Sequence, residues 1–392
     1  MQIRKLTPTD AVASAKLFAI AYESSSDVAA AEGQISPHLW GAFQQDRLCS
    51  QMISTPYQMR FAGQWVDMAG IGGVSTFPES RRYGAVRELF AHLFPLMREA
   101  GQVFSLLFPF AYGFYRKYAY EALYRFNRYT VPFSLFTPLP QHPYVRFYEP
   151  DDAIAPFSAI YNTFVAERNL AIFRDEASWR KRILSSDPWR ERKYAYLIDD
   201  DQGVPHGYVI FQPAESKDGR CMRVLEWVVD DMQYLGSLFG FLKSFASHYQ
   251  TIEFTAPTDL LPEVLFGEFH QLQCTTHWSG MVKIVDVAAA LRLMRWPENA
   301  GALVLRVHDD SAAWNDGSYA ISYGNGQVVV EASQLPYDLA LDVRTLTRLL
   351  FGTLSFTDPT LQLCPGLDIA TQERTALTEI FQHRPLYLND YF

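Results

Sequence analysis

The chain has 392 residues, more than a single core of about 250–300 residues accommodates, so two or three domains are expected. Apolar residues make up 48% and aromatics 15%, which excludes a disordered chain. Against 43 Asp and Glu stand 34 Lys and Arg, a formal net charge of −9. That balance argues against a nucleic-acid binder and suits a cationic small-molecule partner.

In chain order, Ile3–Leu6 predicts a short strand. Pro8 and Asp10 open a helix with Val12, Ala15, Leu17 and Phe18 at helical spacing. Met52–Phe61 and Trp65–Phe77 read as paired strands around Ala62-Gly63-Gln64. Arg82–Ala100 is helical, with Val86, Leu89, Phe90, Leu93 and Met97 on one stripe. A short strand (Phe104–Phe108), a helical turn (Tyr112–Tyr118) and a strand (Leu123–Phe133) follow, and Pro138, Pro140 and Pro143 mark a linker.

The next stretch repeats that order. It predicts a strand at Val145–Tyr148, a helix at Asp152–Ala166, strands at Tyr194–Ile198, Gly207–Pro213 and Arg223–Val229, and a helix at Met232–His248. The repetition points to an internal duplication. A third region predicts a strand at Val282–Val285 and a helix at Asp286–Met294. Strands then fall at Ala302–His308, Gly317–Tyr323 and Gln327–Ala332, the last two joined by the hairpin signal Asn325-Gly326. Asp342–Phe351 is an amphipathic helix closed by Gly352. The chain ends on Leu386-Tyr387-Leu388-Asn389-Asp390-Tyr391-Phe392, a tail so apolar that docking is expected rather than fraying.

Cys49, Cys221, Cys274 and Cys364 lie far apart without a CxxC spacing. They read as reduced thiols of a cytoplasmic protein, and no metal site is expected from them or from the nine scattered histidines. No signal peptide and no membrane span of about 18 apolar residues is expected either.

The sharpest local feature is Gly72-Gly73-Val74-Ser75-Thr76-Phe77-Pro78-Glu79-Ser80-Arg81-Arg82-Tyr83-Gly84-Ala85-Val86. It is a strand, a proline, then an arginine-glycine turn opening a long helix. A helix start offers bare N–H groups and partial positive charge, and glycine allows close backbone approach. Together these make an anion cradle. It lacks the sequence of a Walker loop or of a dinucleotide-binding fingerprint. The plain alternative is an ordinary strand–helix turn with surface arginines.

Arg81-Arg82-Tyr83-Gly84-Ala85-Val86 resembles the (Gln/Arg)-x-x-Gly-x-(Gly/Ala) motif of the GCN5-related N-acetyltransferases, with Val86 departing from the last small residue. Phe114-Tyr115-Arg116-Lys117-Tyr118-Ala119-Tyr120 is similar to that family's F-Y-x-x-x-G-(F/Y) segment, with Ala119 in place of glycine. Over nearly its whole length the chain looks like the enhanced intracellular survival branch of the family. The resemblance implies an α+β / α/β fold class: tandem acetyltransferase folds, each a mixed central sheet flanked by helices, plus a sterol-carrier-protein-like α+β domain. The implied boundaries are 1–143 for an active domain, 144–280 for a degenerate copy and 281–392 for the carrier-like domain. In the middle copy, Val229-Asp230-Asp231-Met232-Gln233-Tyr234-Leu235-Gly236 puts two aspartates where the cradle should carry arginines, so that copy should not hold a pyrophosphate. Trp314-Asn315-Asp316-Gly317 looks like part of the carrier-like domain.

The same resemblance implies acetyl-CoA as co-substrate, no metal, and direct transfer to an amine such as an aminoglycoside, a polyamine or a lysine side chain. Val74, Ser75 and Thr76 would pair with the pantetheine amides. Arg81, Arg82, Tyr83, Gly84, Ala85, Val86 and Arg87 would hold the pyrophosphate, and Phe110 and Ala111 would touch the cofactor. Tyr115 would be the general acid and the Phe392 carboxylate the general base. An α-carboxyl near 3.5 facing an alkylammonium near 10 needs either a desolvated carboxylate or a water relay from the neutral amine. Asp27, Glu32 and Asp390 are candidate acidic groups for the acceptor, and Trp40, Tyr22 and Tyr391 candidate walls. A homo-oligomer, trimer or hexamer, follows by analogy. The competing reading is a non-catalytic ligand- or lipid-binding protein that keeps a vestigial acetyltransferase shell.

Overall fold

Primed two-residue turns place the long strands. Ala62 and Gly63 have φ of 52° and 82°, Gln45 and Asp46 of 48° and 60°, and Asn325 and Gly326 of 53° and 71°. Two consecutive left-handed residues match the twist of a tight hairpin. The computed structural model describes all residues except 24–32, 138, 141, 186, 218 and 371–373.

The elements in chain order begin β1 (Gln2–Lys5), α1 (Ala11–Tyr22), β2 (Leu39–Gln44), β3 (Arg47–Phe61), β4 (Gln64–Thr76), α2 (Ala85–Glu99), β5 (Phe104–Leu107), α3 (Tyr112–Arg116) and β6 (Glu121–Pro132). They continue β7 (Val145–Phe147), α4 (Ala155–Val165), the short helices α5 (Glu176–Ser178) and α6 (Pro188–Glu191), β8 (Tyr194–Asp199), β9 (Pro205–Ser216), β10 (Gly219–Val229), α7 (Leu235–Leu242) and β11 (Thr251–Pro257). They end β12 (Gln273–Ile284), α8 (Val287–Leu293), β13 (Gly301–His308), β14 (Gly317–Gly324), β15 (Gln327–Ala332), β16 (Leu339–Asp342), α9 (Val343–Phe351), β17 (Asp368–Ile369) and α10 (Arg374–Ile380). The fold is mixed α+β.

Two compact units result. The first holds Met1–Leu123, Gly280–Arg384 and Asp390–Phe392; the second holds Tyr124–Ser279 and Pro385–Asn389.

In the first unit, β1, β2, β3 and β4 pair antiparallel in sequence order. β4 pairs parallel with β5, and β5 antiparallel with residues 281–284 of β12. Leu89, Phe90, Leu93 and Met97 of α2 share a core with Ala42, Met52, Ala69 and Ile71. Leu17 of α1 joins Leu6, Leu39, Phe43 and Leu48. A second sheet in this unit runs β15-β14-β13-β16-β17. Its helix α9 starts at Asp342, which accepts from the Thr345 N–H, and stops at Gly352 with φ 77°. Asn315, 1% exposed, fastens the loop before β14: its amide donates to the Ile284 and Val285 carbonyls and accepts from the Val287 N–H. Trp314 Nε1 donates to the Val285 carbonyl at 2.8 Å. These two residues of the Trp-Asn-Asp-Gly segment are therefore structural ties.

The second unit repeats the antiparallel-then-parallel plan. Its strands run β6-β11-β10-β9-β8-β7, with β10 and β11 parallel across α7 as β4 and β5 are across α2. Tyr129, Val131, Val209, Phe211 and Met222 pack with Leu238, Phe239 and Leu242 of α7. The helix predicted over 232–248 is shorter. Only Leu235–Leu242 is α-helical, flanked by single turns at Met232–Tyr234 and Lys243–Phe245. Gly236 and Gly240 lower its propensity, and a Cβ on Gly240 would run into the Pro140 carbonyl. Among the described residues no helix is long and apolar enough to cross a membrane.

Candidate active site

The site is built where β4 and β5 part. They pair from Met68–Phe104 to Ile71–Leu107; β5 then ends, while β4 continues to Thr76 against β3. Between Gln51 and Ile53 the β3–β4 register shifts opposite Gly73 and Val74. Gly73 has φ 57°. A bulge of this kind twists the strand and re-aims its groups.

Phe392 lies on this strand. A Cβ on Gly72 would stand 3.2 Å from the Phe392 main-chain oxygen. A Cβ on Gly70 would stand 2.6 Å from the Phe392 ring and 2.7 Å from Tyr57. The two glycines point to one face, being two residues apart on a strand, and their missing side chains make room for the terminal residue. The Phe392 ring stacks on Tyr57 at 4.7 Å and meets Phe108 edge-on at 5.4 Å. Tyr391 lies 4.5 Å from Phe108. Gly70, Tyr57 and Phe108 were not among the sequence-based candidates, and Gly72 stood only at the start of the strand leading to the anion cradle. The legible signal was glycine within a strand, which marks close approach of a backbone or ligand.

Tyr115 is buried in α3 among Phe110, Phe114 and Tyr120. Burial, with smaller effects from Tyr22 and Tyr118, pushes its phenol well above the ordinary value; the group keeps its proton at neutral pH and can act only as a donor there. Tyr120, by contrast, is spent on a 2.6 Å hydrogen bond with Ser105 in the core. Ala119 adopts φ 61°, the left-handed conformation that glycine reaches without steric cost. Tyr22 donates to the Val74 carbonyl at 3.3 Å. Gly72 and Val74 are two residues apart, about 7 Å along a strand, so the Phe392 main chain and the Tyr22 hydroxyl address one short piece of β4.

The turn before α2 takes a left-handed, uncapped form. Gly84 is the N-cap of α2 with φ 82°, and no side chain caps the helix. Its first N–H groups are therefore bare. Arg82 is also left-handed, at φ 69°. Arg81, Arg82, Tyr83 and Arg87 are exposed, Ala85 is buried and Val86 is packed on the α2 core. The Arg87 side chain folds back to within 3.3 Å of where a Gly84 Cβ would be. These donors and charges fit a pyrophosphate. Phe110 is exposed, and Ala111 caps α3. Of the strand residues, the Ser75 carbonyl already accepts from Ser50 at 2.8 Å and the Val74 carbonyl from Tyr22, while the Thr76 and Ser50 hydroxyls share a 2.9 Å hydrogen bond.

The acceptor candidates fare unevenly. Trp40 packs on His92 of α2 and under Lys5, and its ring joins the core around α2. Asp390 is buried and engaged within the protein, which removes it as an open acidic wall. Tyr22 and Tyr391 keep exposed surface. Asp27 and Glu32 lie outside the described residues.

In the second unit the equivalent strand–turn–helix runs β10–α7. There Asp231 accepts from the Gln233 N–H, and Asp230 pairs with His206 at 3.1 Å. Carboxylates thus stand where the first unit has bare N–H groups and arginines. Among the described residues no cluster of His, Cys, Asp and Glu could hold a metal ion.

Residues 2–123 match an acetyltransferase (GNAT) domain family, residues 170–293 a second acetyltransferase (GNAT) domain family, and residues 287–389 a sterol carrier protein domain. The chain therefore carries two GNAT domains and a sterol-carrier-like domain. No curated protein sequence matches it. Among solved structures, a GCN5-related N-acetyltransferase from Anabaena variabilis ATCC 29413 is 23% identical with a TM-score of 0.86, covering 100% of both chains. Eis1 from Mycobacterium abscessus is 19% identical with a TM-score of 0.81, again over 100% of both chains. A GCN5-related N-acetyltransferase from Kribbella flavida is 21% identical with a TM-score of 0.79, covering 100% of this chain and 98% of that one. At such identities the likeness is one of fold.

Proposed function

We propose that the chain is an Eis-like N-acetyltransferase that moves the acetyl group of acetyl-CoA directly to an amine. Residues 1–143 form its active domain, 144–280 a degenerate copy and 281–392 a carrier-like domain ending in the catalytic tail. The observation that carries the reading is the approach of the Phe392 main chain to Gly72, where β4 leaves β5. A chain end seated on a strand edge within one fold of bare helix N–H groups is hard to explain as packing alone.

Acetyl-CoA supplies the thioester carbonyl and the thiol leaving group. The α2 amino terminus with Arg81, Arg82 and Arg87 holds its diphosphate, and the half-buried stretch Val74–Thr76, beyond the end of β5, orients its amide arm; Tyr22 yields its bond to Val74 or shares that carbonyl. The Phe392 carboxylate takes the proton that the amine sheds as its nitrogen bonds to carbon, and Tyr115 donates a proton to the departing sulfur. An alkylamine near pKa 10.4 is neutral in only about one molecule in 2,500 at pH 7. The base therefore matters most at neutral pH.

The reading is tested by free-thiol release from acetyl-CoA across a panel of aminoglycosides, polyamines and lysine analogues. Thiol should appear one-for-one with acetylated amine. Acetyl-CoA at about 100 times its Kd should stabilise the fold by roughly 2.7 kcal/mol. No thiol with any amine, together with no thermal shift, overturns the proposal.

Two further outcomes are expected. Tyr115→Phe should lower kcat about 10²-fold and leave the KM for acetyl-CoA within about twofold; steady-state thiol release reads both, and an unchanged kcat removes the acid role. The pH profile should rise through the neutral range as the amine loses its proton. Because burial moves the Tyr115 phenol upward, its protonated form persists beyond the ordinary pKa of about 10, and no falling limb should appear below that pH. A fall in kcat between pH 8 and 9 would mean a different acid.

A further inference from the structure

The second unit contains a buried ion pair with no part in the chemistry above. Arg174 and Glu226 have side chains 1% and 3% exposed and meet through two hydrogen bonds, of 2.8 and 2.7 Å. The Arg174 guanidinium lies 4.1 Å from the Tyr161 ring centroid and 4.9 Å from that of Trp179. Taking such a pair out of water costs about as much as its attraction returns, and apolar residues of equal volume would often serve stability as well. Its best-attested use is to fix register.

What it fixes here is the carboxy-terminal segment. Besides Arg174, Glu226 accepts from Tyr208 at 3.1 Å, from the Tyr387 hydroxyl at 2.5 Å and from Asn389 Nδ2 at 3.1 Å. Asn389 Nδ2 also reaches the Leu225 carbonyl at 3.1 Å. Tyr387 and Asn389 are two residues apart, so an extended chain turns both to the same side. The main chain is held as well: the Asn169 N–H donates to the Pro385 carbonyl, and the Tyr387 N–H to the Asn169 carbonyl. The Tyr387 ring stands edge-on to Phe164 at 5.1 Å. Residues 385–389 thus belong to the second unit and Asp390–Phe392 to the first. Three residues reach at most about 11 Å, so the place of Asn389 bounds where the Phe392 carboxylate can go.

We infer that the Glu226–Arg174 pair is a positioning device for the terminal carboxylate, gripping the tail through Tyr387 and Asn389 so that the last residue arrives on Gly72. The inference rests on the proposed role of Phe392 as base. It gives the second unit a use despite its blocked cradle: that unit holds the tail. A proton acceptor displaced by about 1 Å can cost 10²-fold in rate, so a rigid anchor a few residues upstream has a direct kinetic consequence.

The test compares full-length chains. Tyr387→Phe/Asn389→Ala removes both tail donors to Glu226 and keeps the ring packing. Tyr208→Phe removes a donor to the same carboxylate that is not on the tail. A third chain carries one glycine after Phe392. Expected are a kcat at least about tenfold lower for the double variant, a KM for acetyl-CoA within twofold, and a kcat within twofold for Tyr208→Phe. The deficit of the double variant should shrink as pH approaches 10, because the amine then arrives already neutral and only the proton shed on bond formation is left for the base. A double variant with kcat within twofold of the parent, beside a glycine-extended chain that is impaired, overturns the anchor and leaves the base reading standing. A fully active glycine-extended chain overturns the base reading, and the anchor with it. An equal loss in Tyr208→Phe reduces the network to plain stability and also overturns the anchor. If the double variant shows no cooperative melting, Asn389→Ala alone is judged by the same thresholds.

Discussion

A chain lengthened by one glycine beyond Phe392 is expected to lose at least about 10²-fold in kcat, the lower end of what a positioned acid or base contributes. Its KM for acetyl-CoA should stay within about twofold. The extension converts the Phe392 carboxylate into an amide, which has no comparable proton affinity. The added residue must also fit beside Gly72, where a Cβ would already stand 3.2 Å from the Phe392 oxygen. The proposed pyrophosphate cradle is on α2 and is untouched, so cofactor binding should survive. The split between kcat and KM, read from thiol release at saturating and limiting acetyl-CoA, is the decisive measurement. Equal losses in both would indicate a distorted cofactor site, and full activity would remove the terminal carboxylate from the mechanism. The practical corollary is that a carboxy-terminal affinity tag should inactivate the protein, whereas an amino-terminal tag should not.

Gly84→Glu should raise the KM for acetyl-CoA at least about 100-fold, a loss of roughly 2.7 kcal/mol at 1.36 kcal/mol per decade. Three effects act together. Gly84 has φ 82°, a conformation that costs an L-residue roughly 1–2 kcal/mol. The new side chain starts 3.3 Å from the Arg87 guanidinium, so it would neutralise a charge meant for phosphate. Its carboxylate would also lie over the bare N–H groups of α2 and compete as a built-in anion. The second unit already shows that arrangement in native form, with Asp231 accepting from the Gln233 N–H at its own strand–helix turn. Gly84→Ala separates the effects, since it keeps the strain and omits the charge; a much smaller rise in KM is expected. Isothermal titration with acetyl-CoA checks both variants, and normal affinity in Gly84→Glu would place the diphosphate elsewhere.

The elements legible from sequence were those whose local chemistry leaves few choices. Asn325-Gly326 and Ala62-Gly63 could only turn tightly, and the structure puts a primed hairpin at each. The stripe Leu89, Phe90, Leu93, Met97 could only be one face of a helix, and it is buried on the sheet. β2 was not foreseen, because Leu39-Trp40-Gly41-Ala42-Phe43-Gln44 is apolar on both faces and shows no alternation. Trp40, a candidate wall from sequence, packs on His92 of α2; a large aromatic near a strand end does not announce which face it serves, and pairing with β1 and α2 decided it.

The sequence by itself determined the local form of residues 81–87, since a left-handed glycine, an uncapped helix start and flanking arginines are all local properties. It also determined that carboxylates stand at the matching turn of the second unit, since Asp230 and Asp231 act on their own turn. Only the tertiary structure decided where Phe392 lies. The seat of Phe392 depends on Gly70 and Gly72, more than 300 positions earlier in the numbering, and the hold of Tyr387 on Glu226 depends on a carboxylate buried in the second unit, far away in sequence. Contacts of that kind carry no sequence periodicity. They arise from the sum of all packing along the way, so no window of residues, however long its apolar pattern, could have displayed them.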